Sequence, residues 1–184
     1  MNFNLMDTDI KGLKIVEYKN FEDNRGFFQE ISKTSSFVEM GVNYNFVQDN
    51  ISSSKINVVR GLHYQKGHFA QTKLVFVLKG EIFDVVVDLR NNSESFGQYK
   101  SFTIRERDNR ALLIPKGFAH GFCSLKPETL VFYKNDNEYS PLNSKGIVWD
   151  DETLDIDWPV KDPILSKIDS SFPKFDAGKT YYEL

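Results

Sequence analysis

The sequence predicts an all-β fold. Three observations carry that reading. Short runs rich in β-branched and aromatic residues recur through the first three quarters of the chain, Gly, Asn, Asp or Pro separates them, and only one stretch has a helical signature. Such even spacing suits a sandwich, a barrel or a jelly roll.

Taken in order, the strand GLKIVEYKNF (12–21) opens the series. The stretch SKTSSFVEMG (32–41) is the helix, with Ser32 or Thr34 as its cap and Gly41 as its stop. Strands follow at 46–54 (FVQDNISSS), 56–65 (INVVRGLHYQ), 72–80 (TKLVFVLKG) and 81–90 (EIFDVVVDLR). Four more are expected at 99–106, 110–117, 120–125 and 129–135. From Ser140 onward the chain is rich in turns and acids, and reads as irregular segments wrapping the sheets. With no internal repeat or linker, residues 1–184 are expected to form one domain.

The sequence Lys79-Gly80-Glu81 is read as a hairpin turn. In an extended first arm, Lys73, Val75 and Val77 share one face, and Leu74, Phe76 and Leu78 the other. In the second arm Asp84, Val86 and Asp88 oppose Phe83, Val85 and Val87. A lysine and an aspartate on otherwise apolar strands either satisfy each other or line a cavity.

Composition narrows the function classes. A net charge of −3 disfavours a nucleic-acid surface, which rewards a broad excess of Lys and Arg. A small anion needs only a few clustered cations. The single Cys123 has no internal disulfide partner, and the N-terminus lacks a basic region followed by an apolar run, so a cytoplasmic location is expected. No apolar run is long enough to span a membrane as a helix. Neither a P-loop, a G-x-G-x-x-G fingerprint nor a G-x-S-x-G elbow occurs.

The residues able to carry chemistry are few. Histidine is the side chain suited to taking and returning a proton, and His63 in RGLHYQ and His120 in PKGFAHGF are the candidates, whereas His68, between Gly67 and Phe69, reads as a surface loop residue. The three histidines lack the close spacing of metal ligands on one strand, so no metal is expected. Arg25, Arg60 and Lys73 are cations beside glycines or buried-looking aromatics, the setting in which guanidinium and ammonium groups meet anions. Tyr133 has a phenol for proton transfer, and Asp169 either orients a histidine or caps a turn.

Several long stretches together resemble the dTDP-4-dehydrorhamnose 3,5-epimerase family. They are FEDNRGFFQE (21–30), FVQDNISSSKINVVRGLHYQ (46–65), AQTKLVFVLKGEIFDVVVDLR (70–90), LLIPKGFAHGF (113–122), FYK (132–134), GIVWDD (146–151) and ILSKID (164–169). The resemblance implies a cupin-type jelly roll, a homodimer that uses no metal or organic cofactor, and a nucleotide-diphosphate 4-keto-6-deoxy sugar as substrate. It implies His63 as general base, Asp169 as its orienting partner, Tyr133 as acid on the opposite face and Lys73 as stabiliser of the enolate oxygen. Asp84 would hold Lys73 in place. Arg25 and Glu30 would reach the neighbouring subunit's site, while Gln48, Asn50, Arg60 and His120 would line the pocket for sugar and diphosphate.

Two positions depart from the family pattern: Ser144 stands where a glutamate is usual, and Ile168 where a lysine is common. They leave a C3-only epimerase or keto isomerase and an epimerase for another nucleotide sugar as competing readings, and the β pattern with its many aromatic residues leaves a non-catalytic sugar-binding cupin as a third. A local constraint also follows. In a regular strand Arg60 and His63 face opposite ways, so one site holding both requires a bulge near Gly61.

Overall fold

The computed structural model describes residues 2–182. Thirteen strands and one helix follow in chain order: β1 (Phe3–Asp7), β2 (Lys14–Tyr18), β3 (Asn20–Asp23), β4 (Gly26–Gln29), α1 (Thr34–Glu39), β5 (Gln48–Ser54) and β6 (Val59–Gln65). The second half comprises β7 (Lys73–Lys79), β8 (Glu81–Asp88), β9 (Tyr99–Arg105), β10 (Arg110–Ile114), β11 (Phe118–Ser124), β12 (Thr129–Asn135) and β13 (Ser144–Gly146). A six-stranded sheet in the order β1-β2-β10-β7-β12-β5 faces a five-stranded sheet in the order β13-β6-β11-β8-β9, and β3 and β4 form a separate ribbon. Every named strand pairing is antiparallel. The architecture is a cupin-type jelly roll, an all-β class as expected.

Between the sheets, Val75 and Val77 of β7 and Leu112 of β10 meet Ile82 and Val86 of β8 and Phe122 of β11. Each sheet is buried on its outer side as well. Phe37 of α1 and Val42 cover Leu74, Phe76 and Leu113 of the six-stranded sheet. Trp158, Phe175 and Tyr181 of the C-terminal stretch cover Val85, Val87 and Leu62 of the five-stranded sheet. Burial on two sides explains why β7 and β8 read as nearly continuous apolar runs instead of alternating ones.

The same property corrects the expected hairpin. β7 and β8 do not pair: β7 belongs to the six-stranded sheet and β8 to the five-stranded one. At Gly80 the chain crosses from one sheet to the other, with φ at +86° and no room for a side chain beside Thr129, whose Oγ1 would stand 2.5 Å from an added Cβ. The crossing brings the inner faces of the two arms together between the sheets, while α1 and the C-terminal stretch cover their outer faces. The alternation within each arm holds, so Lys73, Val75 and Val77 look inward toward Asp84 and Val86.

Smaller differences have local causes. The 12–21 run is two strands, broken at Lys19 where the chain leaves the sheet for the β3–β4 ribbon. The helix is capped by Lys33 without a side-chain bond, so neither Ser32 nor Thr34 acts as the cap. Gly41, at φ +78°, does follow its end. Strands β1, β4 and β13 are additions; the last has three residues, too few for alternation to show.

Candidate active site

A pocket of about 460 Å³ opens between the two sheets at one end of the roll. Strand β6 gives it Arg60 and His63 from one wall, which requires the break in alternation anticipated above. The β6–β11 register runs His63 opposite His120 and then Arg60 opposite Phe122, so β6 carries one more residue than β11 across that stretch. Gly61 permits the bulge: its φ is +135°, and an added Cβ would stand 2.5 Å from the Cα of Gly121. The extra residue turns both side chains into one cavity.

His63 meets Asp169 with Nε2 and Oδ1 2.6 Å apart. The two residues are 106 positions apart in the chain and are joined because the C-terminal stretch docks along β6. Its contacts there include a parallel bridge from Val58 to Ile164. Asp169 begins a 3-10 turn, and its own N–H donates to Ser166 Oγ. A carboxylate accepts the Nε2–H, which leaves the free lone pair on Nδ1. The imidazole is 40% exposed through the pocket, whereas the Asp169 side chain is 7% exposed. Phe172 packs edge-on against the ring at 5.5 Å.

The opposite wall belongs to the six-stranded sheet. Tyr133 on β12 and Lys73 on β7 are on adjacent strands, with Tyr133 level with Val75 and Asn135 level with Lys73. Burial raises the Tyr133 phenol above its usual value, and the nearby Arg60 charge pulls the other way. Burial lowers the Lys73 ammonium to about 8, opposed by the negative charge of Asp84.

Asp84 itself does not line the pocket. Its side chain is fully buried on β8, and its Oδ2 lies 2.8 Å from Nε2 of His120. The expected grip on Lys73 is therefore corrected: the direct partner of Asp84 is His120, and its second oxygen, Oδ1, is buried without a hydrogen bond among the described residues. Asp84 acts on Lys73 through charge alone, and it is too deep to touch a ligand.

Gln48, Asn50, Arg60 and His120 all line the pocket. Gln48 is committed to structure, accepting the Tyr139 N–H at 2.7 Å and donating to Asn50 Oδ1 at 2.9 Å. Asn50 keeps Nδ2 buried and without a hydrogen-bond partner among the described residues. Arg60 is braced by Ser54 Oγ and the Ser53 carbonyl. The sequence reading missed Ser52 and Asn135, two residues of the pocket wall whose Oγ and Oδ1 are likewise buried and without a partner among the described residues. Each is two residues from a named position on the same strand, Asn50 and Tyr133, so strand periodicity held the signal. Ser144 and Ile168 also line this pocket.

Arg25 and Glu30 lie outside it. Arg25 sits at the tip of the β3–β4 ribbon, bound to Asp23 and 85% exposed. His68 is exposed, as expected. Among the described residues no group of three His, Cys, Asp or Glu is gathered as metal ligands would be, and no helix is long and apolar enough to cross a membrane.

Comparison with known proteins decides the family. The family model for dTDP-4-dehydrorhamnose 3,5-epimerase matches residues 7–177. The chain belongs to this family. It is 45% identical over 173 residues to the dTDP-4-dehydrorhamnose 3,5-epimerase of Shigella flexneri, covering 94% of this chain and 96% of that protein. The crystal structure of the Bacillus anthracis enzyme with TDP and pyrophosphate bound is 44% identical with a TM-score of 0.92, over 94% of this chain and 99% of the other. The Legionella pneumophila enzyme in complex with dTDP-4-keto-L-rhamnose is 40% identical with a TM-score of 0.88, over 95% and 99% of the two chains. Family membership makes the chain an isomerase of nucleotide-linked sugars.

Proposed function

We propose that this chain inverts C3 and C5 of dTDP-4-dehydro-6-deoxy-D-glucose to give dTDP-4-dehydro-L-rhamnose, using its own side chains and no metal or organic cofactor. The observation that carries the reading is the placement of His63 and Tyr133 on opposing sheets around one cavity. A ketone at C4 acidifies the C–H bonds on both neighbouring carbons. Inversion needs a base on one side of the sugar and an acid on the other, which two facing sheets supply.

His63 Nδ1 takes the carbon-bound proton, and the C–H electrons move into an enolate whose charge rests on the C4 oxygen. The ammonium of Lys73, held on the buried wall of the pocket, stabilises that oxygen. Tyr133 delivers its phenolic proton to the opposite face of the same carbon. Its raised pKa keeps the phenol protonated at neutral pH, and Arg60 steadies the phenolate left behind. Solvent then restores the proton to Tyr133 and removes one from His63, and the sequence repeats at the second carbon. Arg60 and His120 supply positive or donor groups for the diphosphate, while Asn50, Ser52 and Asn135 offer unpartnered polar atoms to the sugar or base.

The reading extends to a homodimer with shared sites. Phe27 and Phe28 on the β3–β4 ribbon are 58% and 68% exposed, an apolar tip beside Arg25 that suits burial against a second copy. Arg25 and Glu30 would then enter that copy's pocket. The single buried Cys123 fits a reducing cytoplasm.

The test is turnover of dTDP-4-keto-6-deoxyglucose in deuterated water, with the label located by NMR. Deuterium at both C3 and C5 of inverted products is the expected result. Label at C3 alone would replace the double inversion with the single-site reading and turn attention to Ser144 and Ile168.

A further inference from the structure

Successive residues of β7 look to opposite sides of the six-stranded sheet. Lys73 faces the active-site pocket; Thr72, just before it, continues the side of Leu74 and Phe76, under the loop that follows α1. On that outer side lies a second cavity of about 400 Å³, with Thr72, Val42 and Leu113 in its wall. Lys11, Lys14, Arg90 and Lys116 also line it, and no carboxylate of the described residues does. Asp7, Asp88 and Asp136 pair with Lys14, Arg90 and Lys116 from outside the lining.

Two buried groups in this wall point to a ligand. Arg90 is 8% exposed and held rigidly: Nε and Nη2 donate to the two oxygens of Asp88 at 2.8 and 2.7 Å, and the guanidinium lies 4.4 Å over the Phe118 ring. Its remaining nitrogen, Nη1, makes no hydrogen bond among the described residues and stands 3.6 Å from where a Cβ on Gly12 would be, at the cavity wall. Thr72 is fully buried, and its hydroxyl has no hydrogen-bond partner among the described residues. A buried, unpaired donor in a wall of cations is a cost that a bound acceptor removes.

The chemistry of the acceptor follows from the donors. The fork of Arg90 is spent on Asp88 and Lys14 and Lys116 are paired with Asp7 and Asp136, so what remains is one fixed N–H, one hydroxyl, the ammonium of Lys11 and the N–H groups that the paired lysines do not use. Dispersed donors of that kind suit a tetrahedral, multiply charged phosphate better than a planar carboxylate, which favours a bidentate fork. The cavity is also larger than inorganic phosphate, and Tyr44, Tyr182, Val42 and Pro115 complete it with apolar and aromatic surface. We propose that this outer cavity is a second binding site, for a small phosphate ester with an aromatic or apolar body. The site is independent of the epimerase reading, and it stands back to back with the active site across β7.

The experiment is a titration of the full-length ¹⁵N-labelled protein with phenyl phosphate, followed by amide NMR shifts, with inorganic phosphate and phenol as separate arms. Saturable shifts at Gly12, Gly41 and Thr72 are expected, with phenyl phosphate binding more tightly than either fragment. Thr72→Val and Lys11→Glu should each weaken binding by about tenfold, the scale of a lost charge-assisted contact. Lys11 is exposed and outside the active site, so Lys11→Glu should leave epimerase turnover unchanged. Shifts confined to the His63 and Ser144 pocket, or unaltered affinity in both variants, would overturn the site. Equal affinity for inorganic phosphate would overturn the ester assignment, and equal affinity for phenol would overturn the anion assignment.

Discussion

Two histidine–aspartate pairs stand in this molecule, and they are built differently. His120 and Asp84 come from neighbouring strands of one sheet, two register positions apart diagonally, and both side chains are nearly sealed from solvent. His63 and Asp169 are joined across the docking of the C-terminal stretch, and only the carboxylate is buried. The same hydrogen bond therefore does different work. In the open pair it fixes a tautomer and leaves a ring nitrogen available to substrate. In the closed pair it places a compensated charge under the pocket floor, where Asp84 bears on Lys73 without touching it. In the proposed mechanism, what separates the proton-transferring histidine from the positioning one is access, since partner and distance are nearly the same.

The strongest way to break that comparison is to remove each ring. His63→Ala should lower kcat by at least ~10³-fold, within the usual range for a general base, and lower the melting temperature less than His120→Ala does, because the ring is 40% exposed where that of His120 is 9% exposed. His120→Ala should act mainly on KM while destabilising the fold. Steady-state kinetics paired with thermal unfolding decides the matter; comparable kcat losses in the two variants would erase the distinction between the pairs.

Changing the carboxylates should separate fold from chemistry. Asp169→Asn removes the acceptor that selects the His63 tautomer and should reduce kcat by about 10²-fold. Asp84→Asn strips the countercharge from a sealed site and should cost roughly 3 kcal/mol, as breaking a buried pair does. For a chain of this length that corresponds to a fall of roughly 10 °C in Tm. Denaturation midpoints of the two variants measure the contrast directly, and equal midpoints would mean that Asp84 carries no buried charge worth compensating.

The two pairs also differ in how far the sequence shows them. Asp84 sits with Val86 in a period-two pattern, so its inward direction is readable from residues 81–90, as is the inward direction of Lys73. What that pattern hid is the sheet to which each strand belongs: Gly80 looks like a hairpin turn and is a crossing, because both faces of β7 and β8 are buried. Asp169 carries no local signal that points to His63. It lies in an irregular stretch, 106 residues away; the residues alone offer it as a histidine's partner or a turn cap, and only the family resemblance pairs it with His63. Ser52 and Asn135 were readable and passed over, being ordinary polar residues whose meaning comes from the walls around them.

The finest test uses pH. Burial holds the Lys73 ammonium at about 8, below the usual 10.5, so the cation proposed to stabilise the enolate is lost as pH rises through about 8, and kcat should fall with it. Stability should move in the opposite direction. Between about 8 and 10.5 the unfolded chain keeps a proton that the folded chain has shed. The penalty is therefore fully present below pH 8 and is relieved as pH climbs through that window. Asp84 is the charge that raises this pKa, so Asp84→Asn should move the alkaline limb of kcat to lower pH, whereas Asp169→Asn should leave it in place. A limb that ignores Asp84→Asn belongs to a group other than Lys73. One that shifts in both variants would mean that the open and closed pairs are electrostatically a single unit, and the distinction between them would then rest on solvent access alone.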